Sequence, residues 1–301
     1  MLLFQKIEDL AYTHTDAKRT IGEFLLTEKS GVQKYSMQEI ADRTFTSKSS
    51  LVRFAKCLGF SGWKEFMEAF LGETYYEESR YTDIDPNFPF TKNDSAEVVS
   101  AQLSSLMVES ILDTTEQLDM NELERAVDIL LRAENIGIFS MSPNSYVASL
   151  FRRKMLTIGR NILIPTGTDL GLLASSMKHG DCAILISYTG NNPERIPMRF
   201  LPVFHENNVS VIAITGLGDN LLRREADCVL SMSSRERMYS KISTFSTEES
   251  INFILNMLFA RYFQRNYDLN LQYKIKASKH FESRRYSAYS DIREEDDNRI
   301  I

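Results

Sequence analysis

The sequence predicts an α + α/β protein, in which an all-helical domain precedes a doubly wound domain built on a parallel sheet. The first observation is helical periodicity, which dominates residues 1–72. The second is a series of short apolar runs that alternate with helical stretches between residues 136 and 232. Such runs are typical of parallel strands covered by helices on both faces. A length of 301 residues also fits two domains, since one domain usually takes roughly 100–200 residues.

The helical domain, assigned to residues 1–75, contains several amphipathic segments. Ser36–Glu39 (SMQE) predicts a capping box that opens a short helix. Ser47 is placed to cap a second helix, which is expected to stop at Gly59. Trp63 lies in phase with the apolar residues of a further helix, so we expect it in the core. An earlier helix face is formed by Ala17, Ile21, Phe24 and Leu25.

The two short helices and the tight turn Thr44–Thr46 form a helix-turn-helix pattern, in which the start of the second helix faces base edges in the major groove. Leu51, Phe54 and Leu58 are expected to point inward, which leaves hydroxyl and cationic side chains outside. A solvated face is the simpler interpretation of a basic stripe, but the serine cap and the short turn favour DNA reading. The predicted DNA-binding residues are Ser36, Gln38, Ser47, Lys48, Ser49, Ser50, Arg53 and Lys56.

The charge distribution supports this interpretation. The chain has 35 basic and 41 acidic residues and a net charge of -6, which disfavours indiscriminate binding to nucleic acid. The stretch from Arg43 to Lys64 nevertheless contains five basic residues and no acidic one. We infer that carboxylates are kept away from a surface that lies near phosphates.

Residues 76–107 are assigned to a linker and a connecting helix. The helical period fails from Gly72 to Asp94, where Pro86 and Pro89 interrupt it further. The aromatic residues of this stretch suggest that it docks on the protein; they are Tyr75, Tyr76, Tyr81, Phe88 and Phe90. Helices are then predicted at Ser95–Leu118 and Asp119–Ala133.

The α/β domain is assigned to residues 108–267, and the polar tail 268–301 predicts a fraying helix that passes into disorder. A strong helix is expected at Glu248–Arg265, where Glu248 and Glu249 suit the helix dipole, with ligand contact as the alternative. Three prolines predict a short, kinked or broken helix; they are Pro193, Pro197 and Pro202. The predicted strands are 136–140, 161–165, 182–187, 209–215 and 228–232.

A candidate anion site follows the strand 182–187. Ser187, Thr189 and Gly190 lie just past its carboxyl end, and a helix is expected to begin around Pro193. Such a loop offers N–H and hydroxyl donors at the edge where open α/β sheets bind ligands, although the hydroxyls could also serve only as helix caps. The candidate effector-binding residues are Ser142, Asn144, Ser145, Ser187, Thr189, Gly190, Asn191 and Asn192.

Composition argues against several other classes. No apolar run approaches the ~20 residues of a membrane helix, and charges at Lys6, Glu8 and Asp9 rule out a signal-peptide core. Three distant cysteines argue against a disulfide framework and suit a reducing cytoplasm. The four histidines lack metal-ligand spacing. We therefore predict no catalytic residue, no metal ligand, no cofactor and no membrane partner.

The segment YSMQEIADRTFTSKSSLVRFAKCLGFSGWKEF resembles the N-terminal domain of the RpiR family of bacterial phosphosugar-responsive transcription regulators. The resemblance covers about residues 1–75 and resumes over about 108–265. There ISYTGNNPE is similar to the phosphosugar loop of the sugar isomerase (SIS) domain, roughly Ser-x-Ser-Gly-x-Thr. Ser47 occupies the start of the family's recognition helix, and Arg53 matches the family pattern. The resemblance implies a homodimer or tetramer that binds a near-palindromic DNA operator and a sugar-phosphate effector.

Two departures from the family pattern keep alternatives open. Asn192 replaces the last hydroxyl of the phosphosugar loop, and SMSPNS at residues 140–145 lacks the two glycines usual in the first loop. The alternatives are a regulator whose SIS domain only dimerises and a phosphosugar isomerase.

Overall fold

The chain folds as a helical bundle followed by an α/β domain, which confirms the predicted fold class. The computed structural model describes residues 3–80 and 84–281. The helices of the bundle are α1 (Leu3–Thr13), α2 (Ala17–Glu28), α3 (Met37–Arg43), α4 (Lys48–Cys57) and α5 (Trp63–Arg80). A 3₁₀ helix at Lys29–Lys34 lies between α2 and α3.

An aromatic cluster forms the centre of the bundle. Phe66 and Phe70 are fully buried, and the Phe54 ring lies edge-on to Phe66 with 5.8 Å between ring centroids. Trp63 is 9% exposed and packs 5.2 Å from Phe66, so its predicted core position is confirmed. Because Leu51 and Phe54 point into this core, the orientation of α4 is fixed by packing.

The last helix of the bundle is longer than the sequence pattern predicts. α5 continues past Gly72 to Arg80, so the linker prediction is wrong for these residues. The cause is tertiary: the Glu73 carboxylate accepts hydrogen bonds from the backbone N–H groups of Leu3 (3.0 Å) and Phe4 (3.2 Å). Because α5 packs on the start of α1, burial raises the pKa of Glu73.

The segment from residue 84 onward docks on the α/β domain, as its aromatic content suggested. Phe90 lies 6.4 Å from Phe245, centroid to centroid, and Asn87 is buried. The Asn87 side-chain oxygen accepts a hydrogen bond from the N–H of Arg237 (2.6 Å), and its backbone oxygen accepts one from Ile242 (2.9 Å). Tyr81 lies outside the described residues.

The α/β domain contains a four-stranded parallel sheet in the order β1-β2-β3-β4. Its strands are β1 (Ile136–Ser140), β2 (Cys182–Ser187), β3 (Ser210–Gly216) and β4 (Cys228–Met232). Its helices are α6 (Ala96–Gln117), α7 (Met120–Arg132), α8 (Asn144–Leu156), α9 (Asp169–Ser176), α10 (Leu201–Glu206), α11 (Leu221–Glu225), α12 (Phe245–Arg265) and α13 (Tyr267–Phe281).

Each face of the sheet is covered by its own apolar core. Ile184 and Ile212 belong to the core formed with α7, α8 and α12. Phe139, Leu185 and Ala213 belong to the core formed with α9, α10 and α11. This two-sided burial explains why the strands read as continuous apolar runs.

One predicted strand does not form. Residues 161–165 contribute a single parallel bridge between Leu163 and Gly137. The Leu163 N–H donates to Ile136 (2.9 Å) and the Leu163 carbonyl accepts from Ile138 (2.8 Å). Pro165 has no N–H with which to extend the ladder, so the pairing stops after one residue.

The start of the predicted fraying tail is a regular helix. α13 runs to Phe281, where the sequence predicted fraying. Tyr273 packs on the turn at Gly159, where an added Cβ would come within 2.8 Å of the tyrosine ring. The Asn270 side chain also donates to the carbonyl of Phe263 (3.0 Å). Residues 282–301 lie outside the described residues.

The three cysteines are free thiols, with Cys57 exposed and the other two buried. Burial raises the pKa of Cys228 to about 12, so this thiol stays protonated at neutral pH and packs as a small apolar group. Among the described helices, none is long and apolar enough to span a bilayer.

Candidate DNA-binding and effector sites

The outer face of α4 is a solvent-exposed surface of hydroxyl and cationic groups. Lys48, Ser49, Arg53 and Lys56 are exposed, whereas Leu51 is fully buried on the opposite face. Within the described residues, none of the three cations forms an ion pair with a carboxylate. The face is therefore open to a polyanion. Its contact with DNA remains a prediction.

Serine caps hold the starts of α3 and α4. The Ser36 hydroxyl accepts from Glu39 N–H (3.3 Å) and the Glu39 carboxylate accepts from Ser36 N–H (2.7 Å), which confirms the capping box. These bonds lower the pKa of Glu39. The Ser47 hydroxyl accepts from Ser50 N–H (3.2 Å) and lies 2.7 Å from the Ser49 hydroxyl. Gln38, the remaining predicted residue, is exposed and donates to Asp42 (2.8 Å).

The turn between α3 and α4 contains a strained residue that sequence reasoning missed. Phe45 has a φ of 52°, a conformation that bulky residues rarely adopt, and its side chain is 94% exposed. The turn is held by hydrogen bonds from Phe45 N–H to Asp42 (3.1 Å) and from Thr46 N–H to Ala41 (2.8 Å). The phenylalanine thus costs stability without gaining burial.

Replacing Phe45 with glycine is expected to stabilise the helical bundle. Glycine adopts a positive φ without a Cβ clash, and almost no packing is lost because the ring is exposed. The expected gain in the free energy of unfolding is about 1 kcal/mol, measured by urea denaturation. Phe45→Ala is the matched control, since it removes the ring but keeps the Cβ clash. An equal gain in both variants would show that the backbone strain is not the cause.

The carboxyl edge of the sheet brings the two groups of predicted effector residues together. β1 lies between β2 on one side and Leu163 on the other, and ligands of open α/β sheets bind where the connections diverge in this way. Ser140, the last residue of β1, pairs with Ile186 and so lies beside the start of the β2 loop. Its hydroxyl is buried and has no hydrogen-bond partner within the described residues. The residues Ser142, Asn144 and Ser145 follow it at the start of α8.

Several predicted residues of the β2 loop are engaged internally. The Ser187 hydroxyl accepts from Gly190 N–H (3.2 Å), and the side-chain oxygens of Asn191 and Asn192 accept from Leu221 N–H (3.3 Å) and Glu194 N–H (2.9 Å). Thr189 is half-buried. Gly190 lies against the end of β3 and the start of α11, because an added Cβ would come within 2.7 Å of the Thr215 hydroxyl and 2.6 Å of the Asn220 side chain.

The helix expected at Pro193 does not form. Residues 188–197 make turns, a 3₁₀ turn follows at Met198–Phe200, and α10 begins only at Leu201. A helix that began at Pro193 would hold Pro197 and Pro202 in its interior, where each would lack the N–H donor that the helix requires. The helix N-terminus expected at this loop is therefore absent, which corrects the predicted source of backbone donors for an anion.

A buried carboxylate that sequence reasoning missed lies at the start of α12. Glu236 is 1% exposed, and its carboxylate accepts from the N–H groups of Ser246 (2.6 Å) and Thr247 (3.2 Å). It also lies 3.3 Å from the ammonium group of Lys241. Glu248, which was predicted to suit this helix start, accepts a hydrogen bond from the Thr244 hydroxyl. A single glutamate in a loop gives no sequence pattern from which its role at α12 could be predicted.

These features define a helix-turn-helix transcription regulator with an attached α/β domain. Residues 1–74 match the model of the rpiR-family helix-turn-helix domain, and residues 129–260 match the SIS domain. The chain therefore carries an RpiR-family helix-turn-helix domain followed by a SIS domain, which is the domain pair of an RpiR-type regulator.

Solved structures share this fold. The Vibrio vulnificus NanR protein, complexed with ManNAc-6P, matches 92% of this chain and 97% of its own at 17% identity and a TM-score of 0.57. The sugar isomerase domain of an RpiR transcription factor from Sphaerobacter thermophilus matches 60% of this chain and 98% of its own, at 20% identity and a TM-score of 0.53. A proposed sugar-phosphate isomerase from Listeria monocytogenes covers 61% and 98%, at 16% identity and a TM-score of 0.54. At these identities the likeness shows a common fold.

Proposed function

We propose that this regulator binds a near-palindromic DNA operator as a homodimer or tetramer in the cytoplasm, and that its SIS domain senses a phosphorylated sugar. The DNA-binding part rests on the exposed face of α4, which presents hydroxyls and no acid, and whose cations form no ion pair within the described residues. A two-fold dimer would place two such helices in successive major grooves, which is how helix-turn-helix proteins read a palindrome.

The side chains of this surface suit different contacts. Arg53 can donate two parallel hydrogen bonds to a guanine edge, and the Ser49 and Ser50 hydroxyls can reach neighbouring bases. Lys48 and Lys56 suit contacts with phosphates, because a lysine ammonium group is a compact positive charge. Ser36 and Gln38 at the start of α3 would contact the phosphate backbone.

The proposed effector site lies where the β1 and β2 loops meet. The buried Ser140 hydroxyl, which lacks a partner in the described structure, supplies a ready hydrogen-bonding group. Ser142, Asn144 and Ser145 would add donors at the start of α8, and Ser187 and Thr189 would add hydroxyls from the facing loop. The NanR protein, which shares this fold, forms a complex with ManNAc-6P, and this supports a sugar-phosphate effector here.

A thermal-shift screen of sugar phosphates tests the effector proposal. The screen includes N-acetylmannosamine 6-phosphate. We expect one of the sugar phosphates to raise the melting temperature, because a ligand present at 100 times its Kd stabilises the folded state by about 2.7 kcal/mol. Ser187→Ala and Ser140→Ala are expected to reduce this shift. Ser104→Ala is the matched control, since Ser104 is exposed on α6 and donates only to its own helix.

A specific observation favours the ligand-free alternative, in which the SIS domain only dimerises. Ser187 and Asn192 already accept hydrogen bonds from N–H groups of their own loop, and Asn191 accepts one from Leu221 N–H at the start of α11. A screen in which no sugar phosphate changes the melting temperature would support this alternative. Turnover of a sugar phosphate by the purified chain would instead support a phosphosugar isomerase.

A further inference from the structure

The loop that joins β4 to α12, residues 233–244, contacts three parts of the molecule with different roles. It meets the predicted effector loop through Tyr188, the start of α12 through Glu236, and the DNA-binding domain through Glu8.

Tyr188 forms the connection to the effector loop. It lies between the predicted effector residues Ser187 and Thr189. Its hydroxyl is 2.9 Å from the carbonyl oxygen of Glu236 and 3.2 Å from that of Ser234, and can donate to either. A ligand that moves the backbone at Ser187 would therefore move this hydroxyl relative to the 233–244 loop.

The middle of the 233–244 loop is held firmly. The Glu236 carboxylate accepts three hydrogen bonds from the first turn of α12, including one from the Thr247 hydroxyl (2.8 Å). Asn87 holds the loop on its other side through Arg237 N–H and Ile242 N–H. Because a buried and fully bonded carboxylate resists local change, the loop is expected to shift as a unit.

The far end of the loop contacts α1 of the DNA-binding domain. The Met238 N–H donates to the Glu8 carboxylate (3.2 Å), and the rings of Tyr12 and Tyr239 stack with 4.0 Å between centroids. A crevice of about 420 Å³ beside these contacts includes Glu8, Tyr12 and Arg237 in its lining. Burial raises the pKa of Glu8, because removing the ionised carboxylate from water costs free energy.

We propose that Tyr188 is a positioning residue that couples the effector loop to the DNA-binding domain through the 233–244 loop. An effector bound at Ser187 and Thr189 would draw the tyrosine hydroxyl away from the Glu236 carbonyl and loosen the contact between Met238 and Glu8. The reverse also holds, since a coupling free energy acts equally in both directions. This inference rests on the proposed function, whose regulation it describes.

Hydrogen exchange on the full chain tests the connection without any effector. In Tyr188→Phe, which removes only the hydroxyl, the amide of Met238 is expected to exchange about fivefold faster, as loss of one hydrogen bond predicts. Tyr12→Ala, at the other end, is expected to have the same effect on this amide. Tyr146→Phe is the matched control, because Tyr146 is 72% exposed on α8 and no described contact joins it to the loop. Unchanged exchange at Met238 in Tyr188→Phe would overturn the proposal.

A second experiment separates the coupling from the existence of an effector. Once the thermal-shift screen yields a sugar phosphate, wild-type affinity for a selected DNA duplex is expected to change with that ligand, whereas Tyr188→Phe is expected to bind the ligand and show no change in DNA affinity. A fully responsive Tyr188→Phe would contradict the coupling. A screen without any ligand would count against the effector proposal, while the exchange result would still decide whether Tyr188 holds the loop.

Discussion

Replacing Phe54 with alanine is expected to unfold the DNA-binding domain at temperatures where the α/β domain remains folded. The Phe54 ring is 1% exposed and lies against Phe66. Removing a buried phenylalanine costs about 3–5 kcal/mol, which is a large part of the 5–15 kcal/mol that stabilises a typical domain. Because the bundle has its own core, separate from the two cores of the sheet, the loss should stay local.

Calorimetry of the full chain and a DNA gel shift would measure both consequences. We expect the transition of the helical domain to move to lower temperature and DNA binding to be lost. Phe88→Ala provides a control, since Phe88 is 46% exposed. A variant that keeps both its melting behaviour and its DNA affinity would show that α4 is not held by this core.

Replacing Arg53 with alanine is expected to weaken DNA binding without changing stability. The guanidinium is exposed, and its one hydrogen bond among residues 3–80 and 84–281 is a long one to the Ser50 hydroxyl (3.4 Å), so the fold loses little. If Arg53 reads a base, the loss is on the order of 1–3 kcal/mol and discrimination at one base pair is relaxed. Titration of a duplex that the wild-type chain has selected from a random pool, at fixed salt, would measure it.

Two lysine substitutions distinguish the reading of a base by Arg53 from general electrostatic attraction to DNA. Lys56→Ala is expected to weaken binding to all sequences equally and to reduce the slope of log K against log salt by about 0.9, the contribution of one phosphate contact. Lys178→Ala in the α/β domain is expected to have no effect. If Arg53→Ala behaved like Lys178→Ala, the base-reading role would be wrong.

Local patterns were sufficient to predict the elements that carry the proposed DNA-reading surface. The SMQE box, the Ser47 cap and the spacing of Leu51 and Phe54 are properties of neighbouring residues, and the structure confirms them. The same holds for the four strands, because burial on both faces leaves a continuous apolar run.

The misjudged features depend on contacts between residues distant in the sequence. α5 extends to Arg80, where Glu73 binds the start of α1, and α13 forms where Tyr273 meets Gly159. Glu236 at the start of α12 and Tyr188 beneath the 233–244 loop have no local pattern at all. The prolines after β2 correctly predicted a short helix, but they did not predict that it begins at Leu201.

The most direct test of the account is photo-crosslinking from single positions on the full chain. A photoreactive phenylalanine at position 49, on the outer face of α4, is expected to crosslink to the bases of the selected duplex, and the same group at position 178 is expected not to. Crosslinks from position 178 with none from position 49 would contradict the claim that α4 lies in the DNA groove.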